Sequence, residues 1–398
     1  MLKLFKINNT NYYLNSKTLT LYKEKPEKEH TPIVISARRD DSKLYKLVFN
    51  IANTCNLRCM YCYASCGNYG RNNSLMSKEV ANLEINKLID KYKEIKTVYF
   101  FGGEPTINFS LIKYIVRTLN QHYKINDYRI VTNGTLINRE MLQFFVENDF
   151  KVYISIDGPE FINNHLRGDY YKKLINAINT VKNSKLNSKL ELICTYTKFH
   201  QDNISMDELI KFFDDLNVKY SISDVITENK SLKIEKTDKS VLEQEKIFIE
   251  NSLKRILNTS LNVGISAYVR NVLDAIILKS QSKYFCNELV NDYSKVIDFN
   301  GDIYPCIRLI GNKDIDKLTI DRVNKKSDKK CINCWAYNFC HACTADMLLG
   351  YIEQPFKKKR CVKKVLYDFT FNKLLEMYDT SPNDFNKLVK SFYTYYLF

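Results

Sequence analysis

The chain has no sustained apolar run. Its opening, Met1-Leu2-Lys3-Leu4-Phe5-Lys6-Ile7-Asn8-Asn9, carries charge, and even the aromatic-rich tail after Cys361 is interrupted by Lys, Asp and Glu. Neither a signal peptide nor a transmembrane start is therefore expected, which predicts a cytoplasmic protein with no membrane partner. Histidine is scarce: His30, His122, His165, His200 and His341 lie far apart without metal-site spacing, so each reads as a surface or satisfied core residue. There is no internal repeat and no low-complexity tract. Acidic residues are outnumbered 45 to 60 by basic ones, a formal charge of +15. That excess does not amount to a nucleic-acid surface, because the densest cluster, Lys357-Lys358-Lys359-Arg360, lacks interleaved aromatic or glycine-rich partners. It reads as a solvated basic face that draws in an acidic peptide or electron donor. Cysteine, in contrast, is plentiful at twelve residues. In a reducing compartment these are not standing disulfides, which leaves metal ligation or redox chemistry.

The 398-residue length suggests roughly two to three domains' worth of chain, or one large barrel with an appendage. Residues 4 to 23 alternate apolar and polar around Asn15-Ser16-Lys17, the pattern of a β-hairpin, followed by a connector with Pro26 and Pro32. From about residue 45 the pattern becomes strand, helix, strand. Apolar β-rich runs occur at Lys46 to Ala52, Thr97 to Phe101, Tyr128 to Thr132, Val152 to Ile156, Leu190 to Tyr196 and Tyr220 to Val225. Between the first two, Ser77 is a candidate N-cap, with Val80, Leu83, Leu88, Ile89 and Tyr92 expected on one helical face. Such βα repetition predicts a parallel sheet with helices outside, doubly wound or closed toward a barrel, with chemistry at the C-terminal strand ends. Helices are expected near 238 to 257 and 265 to 280. The expected divisions are an N-terminal hairpin and connector (1–45), the βα region (46–235), a helical linker (236–285), a cysteine-dense domain (286–365) and a helical tail (366–398).

Cys55, Cys59 and Cys62 follow the first strand with spacing C-x3-C-x2-C, a loop on which three thiolates can meet one face of a cubane. Zinc with Cys66 as a fourth ligand fits the same stretch. The second strand ends in Phe101-Gly102-Gly103-Glu104-Pro105, where two glycines allow close backbone approach to a ligand and a carboxylate can meet an ammonium. Together these motifs resemble the radical SAM superfamily, and the resemblance covers residues 46 to about 230. It implies a partial (β/α)6 TIM barrel and a [4Fe–4S] cluster on Cys55, Cys59 and Cys62 whose open iron chelates S-adenosylmethionine. It also implies that Glu104, with the Gly102-Gly103 backbone, holds the cofactor's amino group, and that Tyr61 lies near adenine. The later strand ends, Thr132-Asn133-Gly134 and Ser155-Ile156-Asp157-Gly158, would place Thr132, Asn133, Ser155 and Asp157 near ribose and carboxylate, with Arg167 a further carboxylate ligand. Turn capping is the plainer alternative for Ser155 and Asp157. Cys66 and Cys194 are left over and are expected to be buried as small apolar residues.

The C-terminal set runs Cys286-x14-Gly301-x4-Cys306, then Cys331-x2-Cys334-x5-Cys340-x2-Cys343, then Cys361. Alone it would suggest two zinc sites. Beside the first motif it resembles the SPASM extension of radical SAM peptide-modifying enzymes, which houses two auxiliary [4Fe–4S] clusters. The resemblance implies Cys286, Cys306 and Cys343 on the nearer cluster and Cys331, Cys334, Cys340 and Cys361 on the farther one, three clusters in all. The two-residue gap before Cys343 departs from the family's usual three. Where sulfatase-maturating members carry a further cysteine, this chain has Asp292.

The stretches CNLRCMYCYASCGNYG, SLMSKEV and FFGGEP look like those of thioether-forming maturases of the sactipeptide, ranthipeptide and six-cysteine type. That resemblance implies a 5′-deoxyadenosyl radical abstracting hydrogen from a ribosomally made precursor peptide, whose cysteine sulfur then closes onto the carbon. A flavodoxin- or ferredoxin-type donor would supply electrons. Forty-five residues hold only a hairpin where a leader-binding domain often stands, so leader recognition falls to that hairpin or to a separate protein. The alternatives are formylglycine formation, disfavoured by Ile307 where sulfatase maturases carry Asp, another carbon–carbon crosslink, and a basic zinc-binding nucleic-acid module.

Overall fold

In the computed structural model the described residues are 2–26, 40–227, 229–234, 239–258, 265–279, 281–282, 284–286, 288–289, 293–314, 320–321, 323–351 and 361–396. Asp292, Pro32 and the 357–360 basic cluster lie outside them. The chain divides into two compact units, one of residues 1–38, 234–287 and 317–398, the other of 39–233 and 288–316. The expected 286–365 segment is thus shared between units, and the N-terminal strands join the C-terminal helices.

In the first unit, strands β1 (Leu2–Ile7), β2 (Thr10–Asn15) and β3 (Thr20–Tyr22) form an antiparallel meander. The expected hairpin was therefore one strand short. Asn8 and Leu19 turn the chain with left-handed φ of 49° and 52°. The apolar faces of these strands, Phe5, Ile7, Tyr12 and Leu14, pack with helices Lys239–Asn258, Ala267–Leu278 and Val362–Thr380. Phe5 stacks on Phe371 at 5.3 Å and meets the Trp335 ring edge-on at 5.3 Å.

The second unit is a parallel sheet with outer helices. Its strands are β4 (Lys43–Asn53), β5 (Ser74–Leu75), β6 (Glu94–Gly102), β7 (Tyr128–Thr132), β8 (Lys151–Ser155), β9 (Leu190–Tyr196), β10 (Lys219–Asp224), β11 (Ser294–Ile297) and β12 (Ile303–Tyr304). The order β10-β9-β8-β7-β6-β4-β11-β12, with β5 antiparallel on β4, keeps the six expected strands in sequence order. No reversal of winding occurs among those six, which selects the partial barrel over the doubly wound sheet. Alternation fixes the register: β9 buries Leu190, Leu192, Cys194 and Tyr196 in turn. The unexpected additions are β5, β11 and β12, of which β11 pairs parallel with β4 from Ser294 opposite Lys46 to Ile297 opposite Phe49 and β12 antiparallel with β11.

Ser77 does cap the helix Lys78–Lys91, accepting from the Val80 N–H. Of the expected face, Leu88 and Tyr92 are buried and Val80 and Ile89 partly so, alongside Ala81, Glu84 and Ile85, whereas Leu83 is 58% exposed.

Candidate active site

Each βα loop of the second unit delivers side chains to one end of the sheet, as strand polarity requires. The Cys55–Gly70 loop leaves β4 and turns back through left-handed Ser65, Cys66, Gly67, Tyr69 and Gly70. Cys55, Cys59 and Cys62 are each half-buried and close enough that ionising one opposes ionising another. Burial, the larger cause, pushes the Cys59 thiol up to about 11. Donors surround these sulfurs: the Leu57 N–H at 3.4 Å and Asn133 Nδ2 at 3.8 Å reach Cys55 Sγ, and Arg167 Nη1 stands 4.0 Å from Cys59 Sγ. Such donors suit thiolates in a negatively charged cluster. Cys66 is half-buried, unlike Cys194, which is fully enclosed and donates to the Asp157 carbonyl. Among the described residues no three His, Cys, Asp or Glu side chains stand close enough to hold one metal ion.

The two glycines have a reason the sequence did not disclose. A Cβ at Gly103 would lie 2.2 Å from Thr54 O, and one at Gly102 would lie 2.6 Å from Ala52 O, on a φ of +155°. The backbone they admit closely is the start of the cysteine loop itself. Gly103 N donates to Ala52 O at 2.7 Å and Glu104 N to Thr54 O at 2.9 Å, clamping that loop onto the end of β6.

Glu104 is wholly buried. Its Oε1 accepts from the Thr106 N–H (3.0 Å), Thr106 Oγ1 (2.5 Å) and Thr132 Oγ1 (2.7 Å), and its Oε2 from the Asn133 N–H (2.7 Å). Every one of these donors is neutral, and burial raises the carboxyl above its ordinary value. Two oxygens offer about four acceptor sites, so Oε2 retains room for a further donor. A cation placed there would relieve the desolvation that raises the group. These features fit an ammonium ligand.

Asp157, also fully buried, has its partners in place. It accepts from Tyr61 Oη at 2.5 Å, Arg167 Nε at 2.8 Å and the Thr195 N–H at 3.0 Å. Asp157 thus ties Tyr61 and Arg167 together beside Cys59. His200 bridges the Asp157 carbonyl through Nε2 and meets Thr197 through Nδ1, the satisfied core histidine the spacing implied. Ser155 ends β8, half-buried. A second polar lock was invisible locally: Arg71 donates to Asp298 (2.7 Å) and Asn53 (3.1 Å), and Asn50 donates to Asp298 (2.5 Å).

Cys306 follows β12 in this unit. Ile307 packs with Val48, Val296, Tyr304 and Ile310, and the Arg308 guanidinium lies 4.0 Å from the Tyr63 ring centroid. Tyr63 lies within electrostatic reach of both Cys62 and Cys306, and burial pushes its phenol up to about 12.

The remaining cysteines belong to the first unit. The Ala342 N–H donates to Phe285 O at 3.2 Å, which sets the chain beside Cys286 against the chain beside Cys343. Cys331, Cys334, Cys340 and Cys361 act electrostatically on one another, and burial pushes Cys331 up to about 12 and Cys340 up to about 11. Cys334 and Cys340 pack against the core that holds Trp335, Phe339 and Tyr367. Amid them stands Lys325, 1% exposed, which no sequence feature marked.

The family model described as the radical SAM superfamily matches residues 49–215. An uncharacterized protein of Methanocaldococcus jannaschii is 31% identical over 264 residues, which covers 63% of this chain and 90% of that protein. The cysteine-type anaerobic sulfatase-maturating enzyme of Clostridium novyi is 26% identical over 358 residues, covering 75% and 87% respectively. Among solved structures, native anSMEcpe with bound AdoMet and Kp18Cys peptide superposes with a TM-score of 0.65 at 19% identity, over 86% of this chain and 99% of that one. That last likeness is one of fold.

Proposed function

This chain belongs to the radical SAM superfamily, and from that premise we propose that it is a peptide maturase closing thioether links, cysteine sulfur to carbon, in a ribosomally made precursor. Membership brings a [4Fe–4S] cluster and S-adenosylmethionine, which when bound supply a radical able to take hydrogen from an unactivated carbon. Cys55, Cys59 and Cys62 hold that cluster. Glu104 Oε2 and the Gly102-Gly103 backbone receive the cofactor's ammonium. Thr132, Asn133 and Ser155 would lie near its ribose and carboxylate, Tyr61 near its adenine, and Arg167, oriented by Asp157, would meet its carboxylate. Two further clusters, on the cysteine sets given above, complete three. The charge of +15 suits an acidic flavodoxin- or ferredoxin-type donor.

The observation that carries the thioether reading is the neighbourhood of Cys306. Where the sulfatase-type resemblance calls for a carboxylate there is apolar Ile307, then the Arg308 guanidinium against Tyr63. Arg308 supplies a cation two residues past that cysteine, which suits a sulfur in its anionic form. Cysteine-type sulfatase maturation is the second reading, favoured by similarity to the Clostridium novyi enzyme along most of both chains. The two differ in the fate of sulfur. Anaerobic turnover of a cysteine-rich peptide encoded beside the gene should remove two hydrogens' mass per crosslink, consume one thiol and release no sulfide, and a Cys→Ser peptide should stay unmodified. Sulfide release with an aldehyde product would establish the second reading instead.

A further inference from the structure

Lys325 is nearly inaccessible, yet it is held as an ammonium would be held. Its Nζ donates to three carbonyls, Ser282 O (2.6 Å), Tyr337 O (2.6 Å) and Cys340 O (3.0 Å), and lies 5.1 Å from the Tyr337 ring centroid. Among the described residues no carboxylate pairs with it. A buried ammonium without a counter-charge is unfavourable, and carbonyl dipoles offset only part of that cost. The groups that act on it electrostatically are Cys340, Cys331 and Cys334. As neutral thiols they supply no counter-charge. As thiolate ligands of an iron–sulfur cluster they supply a net negative one, and the reduced state carries one unit more than the oxidised state.

We propose that Lys325 is the buried counter-cation of a cluster held by Cys331, Cys334, Cys340 and Cys361, raising its reduction potential while its carbonyl bonds fix the loops that carry the cysteines. The inference rests on the reading of those four cysteines as one cluster site. Two other lysines act on these thiols, Lys363 on Cys340 and the exposed Lys364 on Cys334. Solvent screening leaves an exposed cation little influence, so Lys364→Met serves as a control.

The test uses the full chain carrying Cys55→Ala, Cys59→Ala and Cys62→Ala, reconstituted anaerobically and titrated redox-wise with EPR detection. At the potential where the parent is half reduced, Lys325→Met should lower the ratio of reduced to oxidised cluster about tenfold, which for a one-electron couple is a midpoint about 59 mV more negative. Lys325→Arg should keep the parent midpoint, and so should Lys364→Met. An unchanged midpoint in Lys325→Met with iron retained overturns the proposal. Should Lys325→Met lose the iron, Lys325→Arg decides: retention of iron and midpoint supports the counter-charge, whereas loss in both reduces Lys325 to a strut and overturns it. A Cys331→Ala, Cys334→Ala variant with iron content equal to the parent's would instead defeat the cluster reading itself.

Discussion

The two cysteine groups differ more in what surrounds them than in number. Around Cys55, Cys59 and Cys62 the neighbours are polar and ionic: an amide, a guanidinium, the buried Asp157 and the buried Glu104. Around Cys331, Cys334, Cys340 and Cys361 they are Trp335, Phe339 and Tyr367, with the deeply buried Lys325. A site that must bind, orient and release a charged cofactor needs a polar shell with valence to spare. A site that only exchanges electrons needs a dry, rigid one, which holds its geometry through a change of charge. Cysteine spacing makes both candidate metal sites. Only the neighbours tell them apart.

The strongest way to break this contrast is to remove one group. Replacing Cys55, Cys59 and Cys62 by Ala should abolish cleavage of S-adenosylmethionine and lower bound iron from about twelve to about eight per chain. Residual cleavage would move the catalytic centre elsewhere, and stoichiometric zinc with negligible iron in the unmutated protein would defeat the cluster reading altogether.

Next in size is the cost of each shell to folding. Arg167→Met strands the buried Asp157 carboxylate and should destabilise the apo-protein by about 3–5 kcal/mol. Phe339→Ala should cost a similar ~3–5 kcal/mol for a different reason, the cavity left between Trp335, Tyr367 and Phe371. Chemical denaturation of each variant measures both. A loss below about 0.5 kcal/mol for Arg167→Met, the range of ordinary surface substitutions, would show that the polar shell is solvated rather than buried.

Much of the barrel was legible because its signals are local. Strands 128–132 and 190–196 fall where β-rich runs place them, and Ser77 caps its helix, since β-propensity and capping act within a few residues. What was not legible depends on partners far along the chain. The pairing of Ser294–Ile297 with Lys46–Phe49, the bond from Arg71 to Asp298 and the burial of Lys325 under the Ser282 carbonyl have no periodic signature. The glycines of Gly102-Gly103 were legible as residues but not as causes, because the contact they permit is with Ala52 and Thr54, about fifty residues earlier at the end of β4. Leu83 misled because the hydrophobic face of a helix is chosen by the surface beneath it.

A milder perturbation sharpens the contrast at the cofactor's ammonium. Glu104→Gln removes an ionic hydrogen bond of roughly 1.5–3 kcal/mol while preserving most of the side chain's shape. Affinity for S-adenosylmethionine, measured by anaerobic equilibrium dialysis, should fall about ten- to a hundredfold with iron content unchanged. Unchanged affinity would make Glu104 solely the cap of the turn Pro105–Asn108, which it already is through the Thr106 N–H.

The smallest effect belongs to Asn133, and it compares the two shells at the level of one donor. Its Nδ2 offers Cys55 Sγ a long contact of 3.8 Å and Asn56 Oδ1 an ordinary hydrogen bond of 2.9 Å, while its backbone N–H serves Glu104 and survives substitution. Asn133→Ala therefore removes one neutral donor from a cluster sulfur without disturbing the Glu104 network. A neutral hydrogen bond contributes about 0.5–1.5 kcal/mol, so the ratio of reduced to oxidised first cluster at fixed potential should fall only about two- to tenfold. Lys325→Met acts through a full charge in a drier setting and should equal or exceed the upper end of that range. Redox titration of both variants, without S-adenosylmethionine, orders the two effects. If Asn133→Ala shifts its cluster more than Lys325→Met shifts its own, then hydrogen bonds to sulfur rather than buried charge set the potentials here, and the contrast between a polar and a dry shell loses its electrostatic basis.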